Sequence, residues 1–121
     1  MSEITNFRGE TLAPQSGTRG DAAVDALILR VGERVRVWVL DAGPNRATSF
    51  HVVGGQFDTV WSEGRYLINR ARDTGSQSLG LQPAQGGFVE LVFPEAGHYP
   101  FVSHVMIDAE RGAHGIFEVA D

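Results

Sequence analysis

The side chains best suited to chemistry in this chain are four histidines: His51, His98, His104 and His114. There is no cysteine to join them. Disulfides, cysteine nucleophiles, iron–sulfur clusters, the usual structural zinc sites and a thiolate-dependent blue-copper site are all excluded. Any metal would have to be held by His, Asp, Glu or water. Two of the histidines sit in strand-like runs with apolar neighbours, His51 in Ser49-Phe50-His51-Val52-Val53 and His104 at the end of Gly97-His98-Tyr99-Pro100-Phe101-Val102-Ser103-His104. Alternation in the second run places Tyr99, Phe101 and Ser103 on one face and His98, Pro100, Val102 and His104 on the other. The aromatic face belongs to the core, so His104 points outward from an apolar surface. Two such histidines are too few for a complete metal site, which would have to borrow ligands from another copy of the chain.

The remaining candidates are weaker. His98 shares a face with His104 but stands six residues away, roughly 20 Å along an extended strand, which leaves it a rim or second-shell role. Asp58 could accept a hydrogen bond from a histidine ring, although a turn cap or an arginine partner is the more common fate of such a residue. Asp108 and Glu110 read as a solvated helical turn, and His114 as a surface residue. Ser103 has no base at a useful spacing. Gly54-Gly55 and Gly86-Gly87 are turn glycines without the following helix that a phosphate loop requires.

The elements that must position these residues are strands. The run Arg34–Leu40 alternates valines with Arg34, Arg36 and Trp38, the pattern of a half-buried strand. Further strands are predicted over Ala26–Val31, Ser49–Val53, Phe57–Trp61, Ser76–Leu81, Gly87–Phe93, His98–Ser103 and Gly115–Val119, each short and bounded by turn residues. Only Tyr66–Arg72 and Val105–Arg111 have helical potential. About eight short strands at this spacing indicate an all-β, two-sheet antiparallel sandwich over residues 25–121. Residues 1–24, with Pro14, Gly17 and Gly20 among polar residues, show no sustained period and read as an arm or linker. The 121 residues suffice for one domain, with 42% hydrophobic and 21% charged residues. Ten basic residues, all arginine and scattered, face fifteen acidic ones, a net charge of -5 that argues against nucleic acid or an anionic membrane as partner. No apolar stretch is long enough to span a bilayer, and the N-terminus shows no signal peptide.

Taken together, Val31-Gly32-Glu33-Arg34-Val35, Gly43-Pro44-Asn45, Ser49-Phe50-His51-Val52-Val53-Gly54, Phe57-Asp58-Thr59-Val60-Trp61, Gly97–His104 and Gly112-Ala113-His114-Gly115 resemble the C-terminal cupredoxin domain of copper nitrite reductases and related multicopper oxidases. The resemblance runs from about Ala26 to Asp121 and implies a cupredoxin-like Greek-key β-sandwich with one or two short helical turns. It places the blue-copper cysteine position at Ser103, a second ligand near Asp108 and the axial ligand near Ala113, so type 1 copper is not expected. It aligns His104 with the C-terminal-domain histidine that completes the catalytic type 2 copper across a subunit boundary. It aligns His51 with the active-site histidine of the same domain, which contacts substrate through water and helps deliver protons. In the oxidases the corresponding His-x-His motif binds a trinuclear cluster, and its second histidine is Val53 here.

The resemblance therefore implies a domain of a copper oxidoreductase, with His51 catalytic, His104 and His51 at a type 2-like or multinuclear copper site on an interface, and nitrite or dioxygen reduced there. The implied partners are a homotrimer, joining His104 of one copy to His51 of the next, or the other cupredoxin domains of a parent enzyme. The parent would be extracytoplasmic, and its catalytic aspartate would lie on the other domain. The alternative is a non-catalytic copper-binding or metal-free assembly module.

Overall fold

A computed structural model describes residues 2–8 and 26–121, with side chains from residue 28 onward. Most of the expected arm, including Pro14, Gly17 and Gly20, lies outside the described residues. Among the described residues, ten strands and one short helix follow in order: β1 (Ser2–Arg8), β2 (Ala26–Arg30), β3 (Arg34–Leu40), β4 (Thr48–Val52), β5 (Thr59–Ser62), β6 (Arg65–Asn69), β7 (Ser78–Leu81), β8 (Gly86–Val92), β9 (Gly97–Ser103), α1 (Met106–Glu110) and β10 (His114–Ala120). They form two five-stranded sheets, ordered β1-β3-β8-β5-β6 and β2-β10-β9-β4-β7. Among the described residues, no helix is long and apolar enough to cross a membrane.

The core lies between the sheets and is built by period-two burial. In β3 the three valines are buried while Arg34, Arg36 and Trp38 face outward. Phe50, Phe57, Phe93, Phe101 and Phe117 fill the centre, at 0–2% exposure. Phe101 and Phe117 approach to 4.5 Å between centroids, and Phe50 stacks on Phe57 at 6.0 Å. Full burial of each such ring contributes roughly 1.5–3 kcal/mol.

Three features depart from the sequence reading. First, the sandwich is not wholly antiparallel, because β1 pairs with β3 and β2 with β10 in parallel. Second, Ser2–Arg8 forms a strand although its sequence lacks a period of two. The ladder pairs Ile4 with Val37 and Phe7 with Val39, so three residues on β1 span two on β3. An irregularity of this kind inserts an extra residue and erases alternation from the sequence. Third, the stretch beginning at Tyr66, expected to be helical, forms β6. It returns from β5 through a two-residue turn, with Ser62 paired to Arg65 and both Glu63 (φ 59°) and Gly64 (φ 135°) at positive φ. That backbone makes a tight hairpin, and a helical reading overlooked its X-Gly signal. The second helical expectation corresponds to α1.

Candidate functional site

His51 and His104 are brought together by strand register on the outer face of the β2-β10-β9-β4-β7 sheet. In β4, Thr48, Phe50 and Val52 are buried, which turns Ser49 and His51 outward. In β9, Phe101 and Ser103 are buried and Val102 is turned outward; His104 follows, exposed. Val102 lies directly opposite His51, and the main-chain N–H of His104 donates to Ser49 O at 2.7 Å. His104 is thus a diagonal neighbour of His51, within reach of long or ring side chains. The two imidazole centroids are 5.6 Å apart, with ring planes at 69°. Both line an open groove of about 410 Å³ with Ser49, Gln77 and Ser78.

His51 Nδ1 lies 2.6 Å from the main-chain carbonyl of Gln77. A carbonyl only accepts, so Nδ1 carries the proton, and in the neutral ring Nε2 keeps its lone pair. This orienting bond is typical of histidines that offer Nε2 to a metal or to a proton. With metal–nitrogen distances of about 2.0–2.1 Å, two imidazoles on one ion can have centroids up to about 6 Å apart. The observed separation falls within that range. No group of three or more His, Cys, Asp or Glu able to hold a metal exists among the described residues. Among the described residues the groove therefore offers two imidazole nitrogen donors, and no third ligand stands beside them.

The pair forms within one chain, so the expected joining of His104 to His51 of the next copy is corrected. His98 is exposed on the same face, opposite Glu118, but does not line the groove. His114 is exposed, with Nδ1 2.6 Å from Ala109 O. Asp58 is not a partner of either histidine. Its Oδ1 and Oδ2 accept from Arg34 Nη1 and Nη2 at 2.8 and 2.7 Å, on the other sheet. The arginine therefore occupies the carboxylate bidentately, and neither histidine ring is supported by it.

The positions aligned with type 1 copper ligands have a different content. Ser103 is fully buried and accepts a 2.9 Å hydrogen bond from Thr48 Oγ1. Ala113 is fully buried. Asp108, expected on a solvated turn, is buried at 1% exposure and pairs with Arg46 Nε at 3.2 Å. The helical turn folds this carboxylate inward, so the place holds an ion pair and a hydroxyl pair.

A charged cluster that sequence reasoning did not single out lies on the outer face of the β1-β3-β8-β5-β6 sheet. Glu90, 1% exposed, receives Arg36 Nε and Nη2 on Oε1 (2.9 and 2.5 Å), and Arg34 Nη1 and Arg70 Nη2 on Oε2 (3.2 and 2.9 Å). Burial pushes the Glu90 carboxyl up, but the hydrogen bonds and charges of Arg70 and Arg36 outweigh it and hold the group below the usual range. Asp58 is held low chiefly by its hydrogen bonds from Arg34, against burial. The signal was available: an acid centred in the apolar run of β8, opposite arginines spaced by two in β3.

Comparison with known proteins decides the relationship. The chain is 37% identical over 99 residues to a copper-containing nitrite reductase of Neisseria meningitidis serogroup A, and 38% identical over 106 residues to that of Neisseria gonorrhoeae. These matches cover 81% and 86% of this chain. The chain is a cupredoxin domain homologous to part of the copper-containing nitrite reductases. It spans about a quarter of the length of those curated relatives, 25% and 26%. No family model matches the chain. Among solved structures, the domain superposes on copper nitrite reductase from Nitrosomonas europaea with a TM-score of 0.72 and 27% identity, covering 87% of this chain and 36% of that one. A multicopper oxidase matches with a TM-score of 0.66 and 26% identity, over 78% of this chain and 32% of its own. The cupredoxin fold, the two-sheet sandwich and the copper-protein kinship expected from the sequence are thereby established.

Proposed function

We propose that this is the C-terminal cupredoxin domain of a copper oxidoreductase, or a one-domain relative of it, and that His104 and His51 serve a type 2-like copper at a subunit interface. The observation that carries the reading is the His51–His104 pair: two imidazoles 5.6 Å apart in an open groove, one already oriented by Gln77. Copper suits imidazole ligands, and when bound it supplies one-electron chemistry and a Lewis acid for a small oxygen-containing substrate such as nitrite or dioxygen. The chain's own residues hold and orient. His104 offers a ring at the rim, and His51, tethered through its Nδ1–H, offers Nε2 either as a ligand or as a relay that exchanges a proton with bound solvent or substrate.

The remaining ligands come from a neighbour, either a second copy in a homotrimer or another cupredoxin domain of the parent. Exposed apolar side chains of this sheet and its β4 end support such covering: Ile116 on β10 is 37% exposed, and Val53, the residue after β4, 47%. In this reading residues 25–121 form the domain, residues 1–24 serve as an arm whose Ser2–Arg8 strand adds to the edge of the sheet beside β3, and the parent works outside the cytoplasm. With no cysteine, electrons must arrive from a copper centre on another domain.

Copper loading of the full chain, removal of excess metal, and measurement of bound copper per chain beside the solution mass test the reading. Copper retained in an oligomer and lost on His104→Ala is the expected result. A monomer that retains no copper and is indifferent to His104→Ala would leave only the metal-free module.

A further inference from the structure

The opposite sheet carries a second recess, unrelated to the histidines. On its outer face, Trp61 stacks on Phe88 at 5.4 Å, and Trp38 meets Phe88 at 4.8 Å and Trp61 at 6.1 Å. The two indoles stand at 72° and form a corner. A groove of about 430 Å³ opens against this corner, with the glycine main chain of Gly86 exposed to it and Leu40 and Glu63 beside it. That volume suits a small molecule.

The only ionisable side chain lining the groove, among the described residues, is Glu63. Its position is fixed from two sides: its main-chain N–H donates to Gly86 O (3.0 Å), and its Oε2 accepts from Gly86 N (3.2 Å). The carboxylate still has acceptor capacity beyond that bond. The same aromatic cluster already holds one cation, because the guanidinium carbon of Arg36 sits 4.1 Å from the Phe88 centroid. Indole faces attract cations more strongly than other aromatic rings do. An aromatic corner with a carboxylate at its side, and no basic residue lining it among the described residues, matches a positively charged ligand of apolar surface.

We infer that this groove binds a small alkylammonium ion, of which a quaternary ammonium is the best fit. The indoles contact its alkyl groups and Glu63 balances its charge. The site stands apart from the copper reading, since it lies on the other sheet and uses none of the same residues.

The test is a titration of the full chain with choline, following the indole N–H resonances of its two tryptophans by NMR. A parallel titration uses the uncharged analogue in which a tert-butyl group replaces trimethylammonium. Choline should shift the Trp61 resonance saturably, and the uncharged analogue should bind about tenfold more weakly. Glu63→Gln retains an oxygen to accept from Gly86 and should weaken choline by roughly five- to tenfold, with unchanged melting. Equal binding of choline and its uncharged analogue, or the absence of a saturable shift at Trp61, would overturn the inference. The comparison of the two ligands needs no variant, so a Glu63→Gln protein that fails to fold leaves the test intact.

Discussion

Glu90→Gln probes the largest electrostatic commitment in the described structure. The substitution preserves shape but replaces one oxygen by an NH₂ group and removes the charge. If the amide oxygen stays on Arg36, the new donor faces Arg34 and Arg70, which held Oε2. Charge-assisted hydrogen bonds contribute about 1.5–3 kcal/mol each. Two are lost, but the Arg34 and Arg70 side chains are 25% and 53% exposed, so water recovers much of that loss. The expected net cost is about 2 kcal/mol. With a urea m value of about 1–3 kcal/mol/M, the midpoint falls by roughly 0.7–2 M at neutral pH. The pH dependence has a definite sign. Glu90 has a depressed folded pKa, so its stabilisation is complete above the unfolded value near 4.3 and is lost as pH falls through the lower folded value. The gap between wild type and Glu90→Gln should therefore stay level above about pH 5.5 and narrow below pH 4. Urea unfolding across pH 3–7 measures both quantities. An unchanged midpoint at pH 7, or a gap that widens on acidification, would refute the assignment of Glu90 as an ionised hub.

Three further outcomes follow from packing and composition. Phe101→Ala should cost about 3–5 kcal/mol, whereas His104→Ala should stay within about 0.5 kcal/mol, and denaturant midpoints in the reverse order would contradict the inward and outward faces of β9. Gly87→Ala would bring a Cβ to 2.3 Å from Trp61 O and should cost at least about 2 kcal/mol, while Gly80→Ala, with nothing within 4 Å, should unfold at nearly the wild-type midpoint. Addition of Cu(II) should produce no intense blue absorption, which visible spectroscopy checks directly, because the chain has no thiolate.

Alternation made most of the sandwich readable. The valines of β3 and the aromatics of β9 each specify a face, and the outward direction of His104 follows from Phe101 and Ser103 pointing in. What could not be read has physical causes. The partner of His51 is a main-chain carbonyl, and main-chain groups leave no residue-type signal. The proximity of His51 and His104 depends on the register between β4 and β9, which becomes visible only once the strands are paired. Asp108 looked solvated because a one-turn helix has no periodicity long enough to separate its faces. β1 escaped notice because its irregular ladder breaks the alternation that the other strands keep.

Because a carbonyl oxygen cannot donate, the contact with Gln77 commits the Nδ1–H of His51 to the main chain and leaves Nε2 as the ring atom with a lone pair to offer. That ring is held in one orientation at the groove before anything binds there. His104, whose ring makes no hydrogen bond found among the described residues, has no such built-in orientation. Whatever occupies the groove must set the angle of that second ring, so the pair joins one fixed jaw to one adjustable jaw.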